Sequence, residues 1–204
     1  HSDLKIMTTT TKKTTTKPKV VKSKTTAIPK LPNNPFCYEV FDACSKQRTK
    51  AKKIEVLQRY AHDSVMAVLI WNFDESIISL LPEGEVPYGN TREDNSVTGT
   101  LSDKINDAVG MMRESGQTSL GSQDQGKASI RKEYTKFYNF LKGGNDSLSS
   151  LRRETMFINI LEGLHPLEAE ILVLVKDKKL SDRYKITKDI VSAAYPQITW
   201  GGRS

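Results

Sequence analysis

Three observations predict an all-α protein, a compact bundle of about seven or eight short helices behind a disordered basic N-terminal tail. Apolar residues recur at helical spacing in one segment after another beyond Asn33, and no segment alternates like a strand over any useful length. All of the formal net charge sits at the front of the chain. From His1 to Pro32 there are eight lysines and one acid, Asp3, which accounts for the whole +7; the remaining 172 residues hold 23 basic and 23 acidic side chains. The chain therefore divides into a Lys/Thr-rich tail, 1–32, and a single helical domain, 33–204, long enough to bury a real core.

The tail, TTTTKKTTTKPKVVKSKTTAIPKLP, has no aromatic and scarcely any apolar residue to offset the entropy of ordering its backbone, so disorder is expected. Met7 stands directly before the threonine run as the expected natural start, which makes His1 to Ile6 an upstream remnant. In the body, Asn34 and Pro35 open a helix to about Lys46 in which Phe36, Val40 and Cys44 recur every four residues. Thr49 caps a second, with Ile54 and Leu57 facing inward and Lys50, Lys52, Lys53 and Arg59 wet. His62 or Asp63 caps a third, Val65 to Phe73, apolar on nearly every side and so buried all round. Two prolines and a glycine make Ile77 to Tyr88 an extended strap, with Leu80, Leu81, Val86 and Tyr88 packing on the helices. A flexible polar insertion follows at about 89–126, broken by a short helix, Leu101 to Glu114.

Order resumes at Lys127, where Ile130, Tyr134, Phe137, Tyr138 and Leu141 give the cleanest amphipathic pattern of the chain, stopped by Gly143 and Gly144. Asp146 or Ser147 caps a helix to about Leu164 with Leu148, Leu151, Ile158 and Leu161 inside. Pro166 opens the next as its first residue, with Leu167, Ile171, Leu174 and Val175 as its stripe and Lys176, Lys178 and Lys179 beside its carbonyl end. Thr187 caps a last helix carrying Ile190, Val191 and Ala194, ended by Pro196. The terminus that follows, with Trp200, is either loose or docked, while Trp71 belongs to the core.

No catalytic constellation and no metal site are expected, and no cofactor. His1, His62 and His165 are too scattered for ligand spacing or a triad, so the last two are helix caps. Cys37 and Cys44, seven apart in one helix, are too far apart to bridge and read as core thiols. The glycines form neither a Walker loop nor a dinucleotide fingerprint, and no serine sits in a nucleophile elbow. Glu168 and Glu170, like Asp74 and Glu75, read as solvated faces. No apolar run is long enough to span a bilayer, so the protein is expected to be soluble, intracellular and without a membrane partner.

What the charge pattern does offer is a polyanion site. Lys12, Lys13, Lys17, Lys19, Lys22, Lys24 and Lys30 neutralise phosphates as point charges without reading sequence; a purely solubilising extension is the alternative. Lys176, Lys178, Lys179, Arg183, Lys185 and Lys188 crowd one end of the last helical hairpin, where phosphate contact is a second expectation. Its connection is too long for a DNA-reading helix-turn-helix, and ordinary helix packing is the better account.

The phrases NFDESIISLLPEGEVPY (72–88), LSSLRRETMFINILEGLHPLEAEILVLVKDKKL (148–180) and ITKDIVSAAYP (186–196), with TKAKKIEVLQRY (49–60) before them, resemble an uncharacterised family of small helical proteins from T4-like tailed bacteriophages, including cyanophages. That resemblance implies a phage source, action in the host cytoplasm during infection, and no assigned enzyme activity. The expectation is therefore a non-enzymatic phage accessory protein that binds nucleic acid, through the phosphate backbone, or a phage or host protein. The alternative is a virion component whose tail threads between subunits.

Overall fold

The computed structural model describes residues 27–87, 99–115 and 128–204. Tail lysines 12 to 24, Tyr88, and the stretches 88–98 and 116–127 of the expected insertion lie outside the described residues. Among the described residues the body is all-helical. The α-helices are α1 (Cys37–Ser45), α2 (Lys50–Arg59), α3 (Asp63–Phe73), α4 (Leu101–Ser115), α5 (Ile130–Glu133), α6 (Ser150–Gly163), α7 (Pro166–Lys176) and α8 (Lys188–Ala194), with 3₁₀ turns at Tyr134–Phe140 and Leu180–Asp182. The one extended pairing among them is an antiparallel bridge between Ser79 and Leu141.

The helix starts follow from local chemistry. Each first turn leaves backbone N–H groups without intrahelical partners, and short side chains supply them. Thr49 accepts from the Lys52 N–H at 3.2 Å. The Nδ1 atoms of His62 and His165 accept from the Ser64 and Leu167 N–H groups, each at 3.0 Å, so both histidines are caps as expected. Ser149, not Asp146 or Ser147, caps α6 through the Arg152 N–H; Asp146 instead accepts from Gly143 N–H in the preceding turn. Thr187 stands at the cap position of α8 without a side-chain cap bond.

α3 and α7 form the centre of the body. Val68, Leu69 and Trp71 of α3 and Ile171, Leu172 and Val175 of α7 are almost wholly buried, each worth about 1.5–3 kcal/mol of transfer free energy. Trp71 stacks within an aromatic cluster, 5.5 Å from Phe137 and 6.3 Å from Phe140, which meets Phe157 edge-on at 5.2 Å. The strap follows the expectation in part: Leu81 and Val86 are buried, as is Ile77, whereas Leu80 is only half-buried; Ser79 accepts from the Trp71 indole N–H and donates to the Lys176 carbonyl. α4 is more than an interlude within the insertion, because Leu101, Ile105 and Val109 enter the common core.

Two elements differ from expectation. The pattern from Ile130 onward is α-helical only to Glu133 and then tightens into a 3₁₀ turn. Three residues per turn bring Phe137 and Phe140 to one side, while Tyr138 is 53% exposed. Leu141 leaves the helix to bridge Ser79, and Lys142 N–H donates to the Ile78 carbonyl. In α6, Leu151 is 74% exposed and Arg153 takes the interior position. The helical run from Ile130 therefore ends at Leu141, in extended conformation, before the expected glycine stop; Gly143, at φ +86°, lies in the turn beyond it. The C-terminus is docked: Asp74 accepts from Gly201 N–H at 3.0 Å and pairs with the Arg203 guanidinium at 2.6 Å.

Candidate nucleic-acid interface

Of the expected phosphate-binding residues, Lys12, Lys13, Lys17, Lys19, Lys22 and Lys24 lie outside the described residues. Lys30 is exposed in the segment where the tail joins the body. There the Tyr60 hydroxyl donates to the Pro29 carbonyl at 2.9 Å and accepts from the Leu31 N–H at 3.0 Å. The tail therefore leaves from a fixed point at the junction of α2 and α3.

The hairpin cations do not act as a set. Lys176 is the clearest correction: its side chain is 2% exposed, and its ammonium donates to the Pro82 and Gly84 carbonyls, each at 2.8 Å, and to Asp177. No hydrogen remains on that nitrogen for a phosphate. Lys178 is likewise turned inward. Its ammonium donates to the Trp71 and Asp74 carbonyls at 2.7 and 2.9 Å, closing the C-terminal end of α3. Burial lowers its pKa, opposed by Asp74 and Glu75. Arg183 is committed to Glu170 at 2.9 Å, although its side chain is 41% exposed. Lys188 lies over the Trp200 ring, 5.0 Å from its centre.

Lys179 and Lys185 remain exposed. Lys185 sits beside the α1–α2 turn, since its N–H donates to Ser45 Oγ at 2.8 Å. That turn carries Lys46, Arg48 and Lys50, and Lys50 lies 3.9 Å from Asp189 of α8. These three were not among the expected contacts. Their proximity to Lys185 and Lys188 is made by packing between segments about 140 residues apart, for which the sequence carries no signal. Asp42 pairs with Lys46 and Asp189 with Lys50, so the patch is mixed in sign; beside Lys185 its cations without an ion pair among the described residues are Arg48 and Lys188, the latter lying over Trp200.

Of the carboxylates read as solvated faces, Glu75 is exposed, but Glu168, Glu170 and Asp74 are instead among the most deeply placed charges of the body. Glu168, fully buried, accepts from the Cys37 N–H through one oxygen and from the Ile130 N–H through the other, both at 2.8 Å. It thereby satisfies the first turns of α1 and α5 together. Burial pushes its carboxyl up to about 7, against the downward pull of hydrogen bonds from Ile130, Cys37 and Tyr38. Glu170, 3% exposed, holds Arg183 and, at 3.4 Å, Arg113 of α4. Asp74 is 1% exposed; burial opposes its charge, yet hydrogen bonds from Ser76, Gly201 and Arg203 hold its carboxyl well below the usual range.

Around Glu168 the Cys37 thiol is 3.8 Å from Ser64 Oγ, which in turn lies 2.8 Å from His62 Nδ1. Burial, with Glu168 nearby, holds the Cys37 thiol well above its ordinary pKa and so in its protonated form. Both cysteines are free and buried. Among the described residues no group of three or more His, Cys, Asp or Glu is placed to hold a metal ion, and no helix is long and apolar enough to cross a membrane.

The geometry thus defines an all-helical protein whose body spends most of its inward-facing ions on its own backbone. Residues 40–113 and 115–182 match the model of a family of unknown function, DUF6433, and the chain belongs to that family. No curated protein and no solved structure matches it.

Proposed function

We propose that this chain is a non-enzymatic accessory protein of a T4-like tailed phage that attaches to nucleic acid, or to a nucleoprotein machine, through the phosphate backbone, using the lysines of its N-terminal tail. The observation that carries this reading is the separation of charge: +7 in the first 32 residues and an even balance in the rest. The inward commitment of Lys176 and Lys178 supports the same division, since it removes two of the body's own cations from competition. Lys30, Lys185 and Arg48 extend the contact onto the body.

The test is binding of a labelled duplex and a labelled single strand, followed by fluorescence anisotropy across salt. Six engaged tail lysines give a slope near −5 in log K against log salt, which is about a thousandfold loss between roughly 50 and 200 mM. Replacing Lys12, Lys13, Lys17, Lys19, Lys22 and Lys24 by glutamine in the full chain should remove most of that slope, leaving the smaller part that Lys30, Lys185 and Arg48 supply. Equal binding by this variant at low salt refutes the reading.

A further inference from the structure

We propose that Trp200 is a stacking platform for an unpaired base of single-stranded nucleic acid, and that Lys188, which covers its ring in the free protein, moves off it to take the adjoining phosphate. The inference rests on the reading of the chain as a binder of the phosphate backbone and deepens it, naming a site on the body and an unpaired strand as its ligand.

The two tryptophans of the chain are placed differently. Trp71 is 1% exposed and its indole N–H is taken by Ser79. Trp200 is half-buried against the core, and its indole N–H has no hydrogen-bond partner among the described residues. The Lys188 ammonium lies over its ring, 5.0 Å from the centre, and makes no hydrogen bond or ion pair among the described residues. A tryptophan serving only as a cover for the last helix would bury its ring and pair its N–H, as Trp71 does; this one holds an aromatic face beneath a removable cation. The ring is also fixed in place along the chain. Two residues before it, the Ile198 N–H donates to the Tyr195 carbonyl, and one residue after it the Gly201 N–H donates to Asp74, each at 3.0 Å.

The first turn of α8 joins this ring to the neighbouring cations. Lys188 lies on Trp200, and the next residue, Asp189, is 3.9 Å from Lys50, while the Lys185 N–H is bonded to Ser45 of the α1–α2 turn. Residues 46–50 and 185–189, brought together in this way, hold five cations and one acid. The other acid at the turn, Asp42, is spent on Lys46. The patch lies at the Lys50 end of α2 and the tail leaves the body beside Tyr60 at its other end, about 15 Å away by helical rise, a distance that a few nucleotides span. In a duplex each base is already stacked between its neighbours, so the ring is complementary to an unpaired base. A stacked base is worth more than an exposed cation–π contact, and the displaced ammonium gains a phosphate.

The experiment follows the tryptophan emission of the full chain at low salt as an oligothymidylate of about twelve nucleotides is added, with binding of the labelled strand read in parallel by anisotropy. Emission should be quenched in the wild type and unchanged in W200F, whose one remaining tryptophan is the enclosed Trp71. Phenylalanine still stacks, so W200F should bind within about twofold of the wild type. W200L, apolar but without a π face, should bind about fivefold more weakly or worse, the lower bound for one lost stacked base. K188Q should keep the quenching and reduce the salt slope by about one. Should W200L also free the terminus, seen as fast amide exchange at Gly201, the quenching and K188Q decide alone. Binding without quenching, quenching that persists in W200F, an unchanged slope in K188Q, or wild-type affinity in a W200L whose Gly201 stays protected overturns the proposal. Equal quenching by a duplex of the same length overturns it as well and leaves the patch a phosphate contact only. Quenching that survives the six-lysine replacement with the salt slope unchanged removes the tail reading and leaves the Trp200 site; no binding of either nucleic acid removes both.

Discussion

Glu168 ties the first turns of α1 and α5 to α7, and its replacement by glutamine should change how stability depends on pH. The side chain lies wholly inside, with both oxygens committed to backbone N–H groups at 2.8 Å. Burial dominates and pushes the folded carboxyl up to about 7, whereas an unfolded glutamate releases its proton near the ordinary value of about 4.3. A proton held more tightly in the folded state stabilises folding. That contribution is fully present below the unfolded value, falls as pH rises from there, and is gone above about 7. The interval corresponds to about 4 kcal/mol at 1.36 kcal/mol per pH unit, about 3 of it between about pH 4.5 and 8, a large share of the roughly 5–15 kcal/mol that holds a domain together. E168Q cannot ionise. It gives up one acceptor oxygen, leaving a buried N–H without a partner at a cost of about 1–3 kcal/mol, but its stability should not carry the slope. Urea denaturation at a series of pH values between about 4.5 and 8 reads both chains. The difference between wild type and E168Q should favour wild type at the acid end and shrink by about 3 kcal/mol toward the alkaline end. A difference that stays constant across the series refutes the assignment of Glu168 as a carboxyl kept protonated by burial.

Arg153 is 5% exposed and donates to the carbonyls of Asn139, Asn145 and Leu148 at 2.8, 3.0 and 3.0 Å. R153A should cost about 2–4 kcal/mol in urea denaturation, since charged hydrogen bonds to buried carbonyls are among the stronger ones; a loss below about 0.5 kcal/mol, the range of ordinary surface changes, contradicts this role. A Cβ on Gly144 would collide with the carbonyl oxygen of Tyr138, so G144A should lower the melting temperature by several degrees, about the effect of 1–2 kcal/mol on a domain of this size. Asp74 holds the C-terminal segment through Gly201 and Arg203, and its carboxyl is held below the usual range. Its stabilisation is therefore present at neutral pH and lost as pH falls below the ordinary carboxylate value. In D74N, amide exchange at Gly201 and Arg203 should accelerate at pH 7, and unchanged exchange rejects the latch.

What the sequence made legible and what it did not divide along one physical line. The starts of α2, α3 and α7 were readable because Thr49, His62 and His165 act on backbone groups two or three residues away and Pro166 fixes the first helical φ where no N–H is needed. The apolar stripes were readable because a helix repeats on itself. The 3₁₀ turn at Tyr134–Phe140 was not, since Leu141 is drawn out of the helical pattern by Ser79, a partner no local window contains. The charged residues went furthest astray for the same reason. Glutamate and lysine are ordinarily wet, and only a distant partner makes an exception stable. The donors to Glu168 lie 131 and 38 positions away, and the carbonyls that hold Lys176 lie 94 and 92 away. Counting lysines along the hairpin thus overstates its capacity for phosphate. A buried ammonium already donating to carbonyls and a carboxylate would have to surrender those bonds before it could take new ones, leaving polar groups unpaired inside. Lys179 and Lys185, exposed on the same hairpin, face no such exchange.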